Sequence, residues 1–324
     1  MGEAFAGKTV GKKAMLWGIL AQSIPDIDFV AAFWLDTVDN LLTHRGITHS
    51  FLFAFLITPI IAYFAYKFHR PHNISFLKWN FFIGSVIFIH LFIDAFNNYG
   101  VGWLEPFSDK RISFNTIYVV DPFFSIVPCI AFLLLLLIKQ KNEHRKWIWK
   151  TGLIIPFCYL FYSVANKFYV TNETKKILAA QNINYNKLLI TPAPLQTWLW
   201  FVVVGNENGF YTDYRSVFDR QQKFDFQFKP NNNNLRVLVK EPMQLNKLIQ
   251  FSQGFYTMER RQDSLLFFDL RFGQIIGWQK PLEDYAFYFY LQPSIDNTLV
   301  VQRGRFAKWN KQSFESLIDR IKGN

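Results

Sequence analysis

A histidine and an aspartate four residues apart lie inside an apolar stretch of the chain. His90 and Asp94 are the only ionisable side chains of the segment Trp79–Phe96. This spacing places both on one face of a helix, and ionisable groups at membrane depth are costly and usually functional. Imidazole nitrogen with carboxylate oxygen suits a divalent transition metal better than calcium. The alternative is a hydrogen-bonded pair that only holds helices together.

A second pair of histidines, His44 and His49, is five residues apart and therefore does not share a helix face. Gly46 permits a tight turn between them, and Thr48 is suited to cap the following helix. This predicts His49 in the first turn of that helix and His44 across the turn. Two imidazoles presented in this way can bind the same metal as the first pair. If the two histidines lay in an exposed loop, they would not by themselves indicate a metal site.

Two carboxylates, Asp26 and Asp28, follow Pro25 within another apolar stretch. The proline disfavours helical backbone at Ile24, so we expect a broken or re-entrant helix with Asp26 as a metal ligand. Asp28 is expected to act as a general base, or alternatively to orient a ligand histidine. The alternative is that the two carboxylates lie at an ordinary exposed helix end.

Arg45 is expected to stabilise negative charge on a substrate, although contact with lipid headgroups would explain it equally well.

These residues lie in or next to apolar segments. The segments are long enough, or nearly long enough, to cross a bilayer. A span takes about 20 residues, and a weaker segment is interrupted by the proline and the two aspartates. Lys and Arg concentrate at 67–78 and 139–146, as in cytoplasmic loops, which predicts that the chain after residue 166 faces outward. The predicted spans are Ser50–Tyr66, Trp79–Phe96, Pro122–Ile138 and Trp147–Ala165, with Ala14–Trp34 as the broken one.

After residue 166 the sequence changes from long apolar runs to shorter ones. Helices are predicted at Thr171–Gln181 and Ser313–Ile321, with turns at 205–209 and 231–234. The aromatic-rich or alternating runs between them are typical of strands. We therefore expect an all-α multi-span membrane domain, residues 1–165, followed by a soluble α+β domain, residues 166–324. The predicted strands are Trp198–Val204, Phe210–Tyr214, Leu235–Val239, Leu265–Arg271, Ala286–Leu291 and Thr298–Gln302.

The charge of the chain agrees with a membrane protein. The net charge of +11 divides into +4 for residues 1–165 and +7 for residues 166–324. In a membrane protein such a balance indicates attraction to anionic headgroups, so membrane lipid, and not nucleic acid, is the expected partner. Cys129 and Cys158 lie in separate apolar runs and form neither a CxxC site nor a disulfide framework.

Four short motifs occur in one order along the first half of the chain. They are PDID at 25–28, HRGITHS at 44–50, HLFIDAFNNYG at 90–100 and PFSDKR at 106–111. Together they resemble the bacterial inner-membrane family of membrane-bound metal-dependent hydrolases, the LexA-regulated YdjM-like group, over roughly residues 2–165. That family is distantly similar to zinc-dependent phospholipase C, which implies a helical fold, bound zinc and attack on phosphoester bonds. Its members usually begin with a further apolar helix, whereas this chain opens at Met1.

The motifs and the resemblance lead to two hypotheses. The first is a hydrolase of the bacterial inner membrane in which a metal, most simply zinc, activates water against a lipid phosphoester or another envelope substrate. The second is a non-catalytic membrane protein with a structural metal and an outward interaction domain. A closed tetrahedral site favours the second hypothesis, and an open position favours the first. The expected metal ligands are Asp26, His44, His49, His90 and Asp94.

Overall fold

The structure is a computed structural model that describes residues 1–69, 74–291 and 308–323. The chain divides into two compact units. The first comprises residues 1–36, 40–114 and 119–162, and the second comprises residues 37–39, 115–118 and 163 onward. A helical N-terminal region is followed by a C-terminal domain of antiparallel sheets and helices, which confirms the predicted fold class.

Within the described residues, seven α-helices precede the first strand. Short 3-10 helices, Pro25–Phe33 and Ile47–His49, interrupt the series. The α-helices are α1 (Gly2–Val10), α2 (Lys13–Ser23), α3 (Thr37–Thr43), α4 (Phe51–Phe68), α5 (Phe76–Asp94), α6 (Pro122–Leu137) and α7 (Arg145–Ala180).

Three of these helices, α4, α5 and α7, are long and apolar enough to cross a membrane. Helix α2 and the following 3-10 helix meet at an angle of 58° and together qualify as one broken span. The break falls at Pro25, which has no N–H to continue the hydrogen bonding of α2, so the expected broken helix is confirmed. The expected departure of Ile24 from helical backbone is wrong, because its φ of −62° and ψ of −42° are helical. Helix α6 is apolar but has 16 residues, slightly fewer than the usual range of about 17–25.

Helix α5 is apolar on all sides but turns one face toward the rest of the helical unit. Its buried residues recur every three or four positions, which places them on a single face, while Phe81 and Phe88 point away from the protein. His90 belongs to the buried stripe and is therefore directed into the helical unit. The buried stripe consists of Trp79, Phe82, Ile83, Val86, Ile87, His90 and Leu91.

Helix α7 corrects one prediction. We expected a span ending at Ala165 and a separate helix at Thr171–Gln181, but one helix of 36 residues runs through both. From Phe157 to Gln181 the sequence contains neither Gly nor Pro, so nothing interrupts its hydrogen bonding. The change from apolar to polar composition marks the start of the second unit without ending the helix.

The described part of the second unit contains two antiparallel sheets, with strand orders β1-β2-β3-β4 and β5-β6-β7. Every residue of β2 is buried, because alternate side chains enter two different cores. Phe201 packs with Phe268 of β6, whereas Trp200 packs with Ile177 of α7. The strands are β1 (Lys187–Pro192), β2 (Leu199–Gly205), β3 (Gly209–Ser216), β4 (Gln227–Pro230), β5 (Tyr256–Arg261), β6 (Ser264–Gln274) and β7 (Tyr285–Tyr290), with helices α8 (Pro242–Phe251) and α9 (Lys311–Ile321).

Predictions for the second unit are partly confirmed. Strands β2, β3, β6 and β7 and helix α9 occur where expected. The predicted strand Leu235–Val239 is wrong: a 3-10 helix, Asn233–Leu238, occupies this run. It begins after Asn232, whose backbone is left-handed with φ 50°, and no strand of the described residues pairs with it. Strands β1, β4 and β5 were not predicted, and the predicted strand Thr298–Gln302 lies outside the described residues.

Candidate metal centre

Three segments of the first unit bring their polar side chains to one point. The 3-10 helix that follows α2 presents Asp26 from its first turn. The short 3-10 helix before α4 presents His49, which is fully buried. Helix α5 presents His90 and Asp94 from adjacent turns near its C-terminal end. The four side chains form a group that could hold a metal ion, here called the metal group.

The ligand atoms of the metal group are closely spaced. His49 Nε2 lies 3.2 Å from His90 Nε2, 3.4 Å from Asp26 Oδ1 and 3.5 Å from Asp94 Oδ2. His90 Nε2 is 3.6 Å from each of the same two carboxylate oxygens. Three of the side chains are largely buried, but 47% of the Asp26 side chain is exposed. The metal group is therefore enclosed by protein on most sides and reaches the surface at Asp26.

These separations resemble the edges of a tetrahedron around a metal. Nitrogen and oxygen ligands bind zinc at about 2.0–2.2 Å, which separates neighbouring ligands by about 3.3–3.6 Å. The five distances lie between 3.2 and 3.6 Å, longer than charged hydrogen bonds of about 2.7–2.9 Å. Asp94 Oδ2 is buried and accepts no hydrogen bond from any described residue. A cation would satisfy this oxygen, so the donor set fits a divalent metal.

Asp28 lies behind the metal group, with only 2% of its side chain exposed. Its Oδ1 is 2.9 Å from His44 Nδ1, and its Oδ2 accepts the backbone N–H of Arg45 and the hydroxyl of Thr48, both at 2.8 Å. The same Oδ2 faces His49 Nδ1 at 3.4 Å. Because both oxygens are occupied, this geometry favours Asp28 as the residue that orients His49 over its predicted role as a general base.

The turn carrying the two histidines differs from the prediction. Thr48 does not cap α4; Ser50 does, by accepting a backbone N–H of the first turn. The residue of this turn with left-handed backbone is Arg45, with φ 60°. Gly46 is instead required for space, because a Cβ there would lie 2.9 Å from the carbonyl oxygen of Thr43. Since serine and threonine cap helices similarly, the sequence alone did not distinguish these arrangements.

His44 was predicted to be a fifth ligand but lies outside the group of four. Its Nδ1 faces Asp28, 34% of its side chain is exposed, and its ring centroid is 6.1 Å from that of His49. Four of the five predicted ligands are thus brought together. His44 supports them indirectly, by helping to hold Asp28 in place.

Arg45 lies beside the metal group, where a charge-stabilising residue was predicted. Its Nε is 3.0 Å from Asp94 Oδ2, and its guanidinium carbon is 5.2 Å from the centroid of the Tyr99 ring. The contact with Asp94 is an ion pair without hydrogen-bond alignment. Within the described part of the chain, Nε and Nη1 of Arg45 are buried and have no hydrogen-bond partner.

Two supporting residues had no predicted role. Arg111, in the PFSDKR motif, donates to the backbone carbonyls of Leu42, His44 and Gly100 and so holds the histidine turn. Gln22 places its Nε2 3.1 Å from His90 Nδ1. The motif around Arg111 was noticeable in the sequence, but Gln22 sits in an apolar helix without any motif.

The carboxylates around His49 determine whether this imidazole carries a proton, and so the charge of the metal group. Burial by itself would lower the pKa of His49, but the nearby carboxylates of Asp26, Asp28 and Asp94, at 3.4–3.5 Å, outweigh burial and raise this pKa to about 10. Without a metal, His49 therefore carries a proton at neutral pH. The metal group attracts positive charge, as a cation site requires.

One further sequence pattern forms no site. Residues 2–9 read GEAFAGKT, which matches the GxxxxGK[ST] pattern of phosphate-binding loops. Such a loop lies between a strand and a helix, with its backbone N–H groups turned toward the phosphate. Here α1 runs through the whole pattern, so from Phe5 onward its N–H groups are used within the helix.

Comparison with known proteins agrees with this arrangement of motifs. The family model for the YdjM inner membrane protein matches residues 1–169. The chain is 34% identical over 115 residues to the protein YfhP of Bacillus subtilis (strain 168), which covers 35% of this chain and 33% of YfhP. It is 29% identical over 113 residues to the inner membrane protein YbcI of Escherichia coli (strain K12), which covers 34% of this chain and 64% of YbcI.

These matches are confined to parts of the relatives. The chain spans about a third of the length of YfhP and slightly less than two thirds of YbcI. No solved structure matches the chain.

Proposed function

Because this chain belongs to the YdjM inner membrane protein family, we propose that it is a membrane-bound hydrolase dependent on one divalent transition metal. The ligands are Asp26, His49, His90 and Asp94. The observation that carries the proposal is the spacing of their ligand atoms, 3.2–3.6 Å in five pairs. Two imidazoles and two carboxylates suit zinc.

Each neighbouring residue has a role in this proposal. When bound, zinc lowers the pKa of a water ligand toward neutrality and polarises the bond under attack. Asp28 fixes the ring orientation of His49 through Nδ1, which leaves Nε2 directed at the metal group. Asp26 is half-exposed, so substrate approaches from its side.

Arg45 indicates the class of substrate. Its Nη1 is buried without a hydrogen-bond partner among the described residues, and an unpaired buried donor costs free energy. A phosphoester carries a negatively charged oxygen that can accept from this N–H in a strong, charge-assisted hydrogen bond. Because the metal group lies among membrane-spanning helices, we propose a lipid phosphoester as the substrate.

A structural metal is the second candidate, and the number of ligands favours it. Four protein ligands fill a tetrahedral site, as in structural zinc centres, whereas catalytic zinc usually has three protein ligands and a water. The half-exposed Asp26 favours catalysis, because a carboxylate at the surface can yield its position to substrate. Metal content and hydrolysis therefore have to be measured together.

The test uses the full-length protein purified in detergent. Elemental analysis should find about one metal per chain, and the zinc-loaded protein should hydrolyse bis(p-nitrophenyl) phosphate. His90→Ala should abolish both, whereas His144→Ala, which changes an exposed histidine outside the metal group, should change neither. Bound metal without hydrolysis across a panel of phosphoesters would establish the structural alternative. Absence of metal would refute both candidates.

The same proposal includes the orientation in the membrane. Lys and Arg at 67–78 and 139–146 support cytoplasmic loops, which places residues 166–324 on the outer face. Alkaline phosphatase fused at the C-terminus should then be active, and the same enzyme fused within the loop 139–146 should be inactive. The opposite pattern would place the metal group on the cytoplasmic side.

A further inference from the structure

A cavity of about 360 Å³ lies among helices α1, α2, α5, α6 and α7 of the first unit. Helices α5 and α7 are candidate spans, and α2 belongs to the broken span, so the cavity lies at the depth of the bilayer hydrocarbon. Most of its wall is apolar. Wall residues include Met15, Ile19, Val86, Phe132 and Leu153.

One polar side chain connects the cavity to the metal group. Gln22 lines the cavity, and its Nε2 is 3.1 Å from His90 Nδ1. Val86 also lines the cavity and precedes His90 by four residues on α5, a rise of about 6 Å. The cavity therefore begins about one helical turn from the ligand atoms.

We propose that this cavity holds one acyl chain of the lipid whose phosphoester binds at the metal group. The inference rests on the proposed function and specifies its substrate as a lipid with at least one long chain. A phosphoester at His90 would place an attached chain near Gln22, at the polar end of the cavity.

The physical properties of the cavity favour this occupant. An apolar cavity of roughly 150 Å³ is enough to stay dry and bind benzene, and small-molecule sites measure about 300–1,000 Å³. At this depth in a bilayer, acyl chains are the abundant apolar molecules. Glu3 also lines the wall, but it is paired with Arg145 at 2.7 Å, so its charge does not oppose an apolar ligand.

Two adjacent residues of α2 provide a matched test. Ile19 and Leu20 are each 45% exposed, but only Ile19 is among the residues that line the cavity. The probe is palmitoyl lysophosphatidylglycerol, which has one long chain, added to the full-length zinc-loaded protein in detergent. Native mass spectrometry then measures the lipid bound by wild type, Ile19→Trp and Leu20→Trp.

We expect wild type and Leu20→Trp to bind one lipid equally, and Ile19→Trp to bind it at least fivefold more weakly. Equal binding by all three proteins, or no binding by wild type, would overturn the inference. If Ile19→Trp does not fold, Leu153→Trp takes its place with Ile154→Trp as its control, since Leu153 lines the cavity and Ile154 does not.

Hydrolysis separates this inference from the proposed function. Bis(p-nitrophenyl) phosphate has no acyl chain, so Ile19→Trp should hydrolyse it as wild type does. If no variant hydrolyses any phosphoester but lipid binding still depends on Ile19, the proposed function fails and the acyl-chain site stands. If hydrolysis is normal but lipid binding does not depend on Ile19, the acyl-chain site fails and the proposed function stands.

Discussion

Two clusters of buried charge in the first unit are built in opposite ways. At the start of α7, Arg145 binds both oxygens of Glu3 at 2.7 and 2.8 Å and donates to two backbone carbonyls at 2.7 Å. In the metal group, the shortest distance from a ligand nitrogen to a ligand carboxylate oxygen is 3.4 Å. Asp94 Oδ2 there accepts no hydrogen bond from the described residues.

The difference separates a complete ion pair from a cluster that could hold a cation. Every donor that Arg145 directs inward has an acceptor, so the ion pair is complete without a further partner. The side chains of the metal group approach one another but leave polar atoms unmatched, an arrangement that a central cation would complete. Burial does not distinguish the two clusters, whereas the pairing of individual atoms does.

Substitutions in the two clusters should differ most in their effect on the metal content of the protein. His90→Ala or Asp94→Ala removes a ligand and should reduce bound metal from about one per chain to background, a loss of affinity of at least about a hundredfold, since even residues behind the ligands contribute about 10–100-fold. Elemental analysis after gel filtration measures this. Glu3→Gln is the control and should leave the metal content of the folded fraction unchanged. A metal-loaded His90→Ala protein would show that the metal group is not the site.

For the free energy of unfolding, substitutions in the Glu3–Arg145 pair should have a larger effect than substitutions in the metal group. Arg145→Ala leaves Glu3 buried without its partner, which should lower the free energy of unfolding by about 3–5 kcal/mol. Denaturant titration in mixed micelles measures the change. The double variant Glu3→Met/Arg145→Met should recover much of the loss, because removing both charges leaves neither unpaired. A loss of similar size from His90→Ala in metal-free protein would mean that the metal group is also a structural cluster.

A smaller effect should come from Asp28, which contacts the metal group without belonging to it. Asp28→Asn weakens the hold on His49 and should lower metal affinity by about 10–100-fold, measured by competition with a zinc chelator. Asp109→Asn, which changes an exposed carboxylate, serves as the control. Unchanged affinity in Asp28→Asn would assign Asp28 to the fold of the turn alone.

The last effect is gradual and concerns the dependence of metal binding on pH. The carboxylates around His49 raise its pKa to about 10, so the metal must displace one proton from this imidazole between pH 6 and pH 9. Zinc affinity should therefore rise about tenfold per pH unit, since ligands bind metals in their deprotonated form. Isothermal titration in buffers of different ionisation enthalpy should detect the release of about one proton. Affinity that is flat across this range would mean that His49 is already neutral without metal.

The parts of the fold that follow from periodicity and composition were predictable from the sequence. The apolar span around His90 and the break at Pro25 could be read directly, and they place His90 and Asp26. Predictions failed where several residues are chemically equivalent. Ser50 and Thr48 are equally good caps. The run at 235–239 has the composition of a strand but finds no partner strand within the described ranges.

The predictable part of the site consists of side chains within recognisable motifs. Gln22 was not predictable, because its contact with His90 joins residues that are 68 positions apart. The position of His44 outside the group of four has a related reason: sequence spacing indicates that an imidazole is near, but not whether its nitrogen faces a metal or Asp28. Contacts of this kind depend on how helices pack, which sequence patterns do not encode locally.

The left-handed backbone of Arg45, with φ 60°, has a consequence for laboratory evolution. This conformation costs a non-glycine residue roughly 1–2 kcal/mol, and glycine adopts it freely. A library selected only for heat resistance would therefore tend to acquire glycine at position 45. The survivors would gain a relaxed turn and lose the guanidinium beside Asp94, so screening for robustness alone would remove the residue to which the proposed function assigns charge stabilisation.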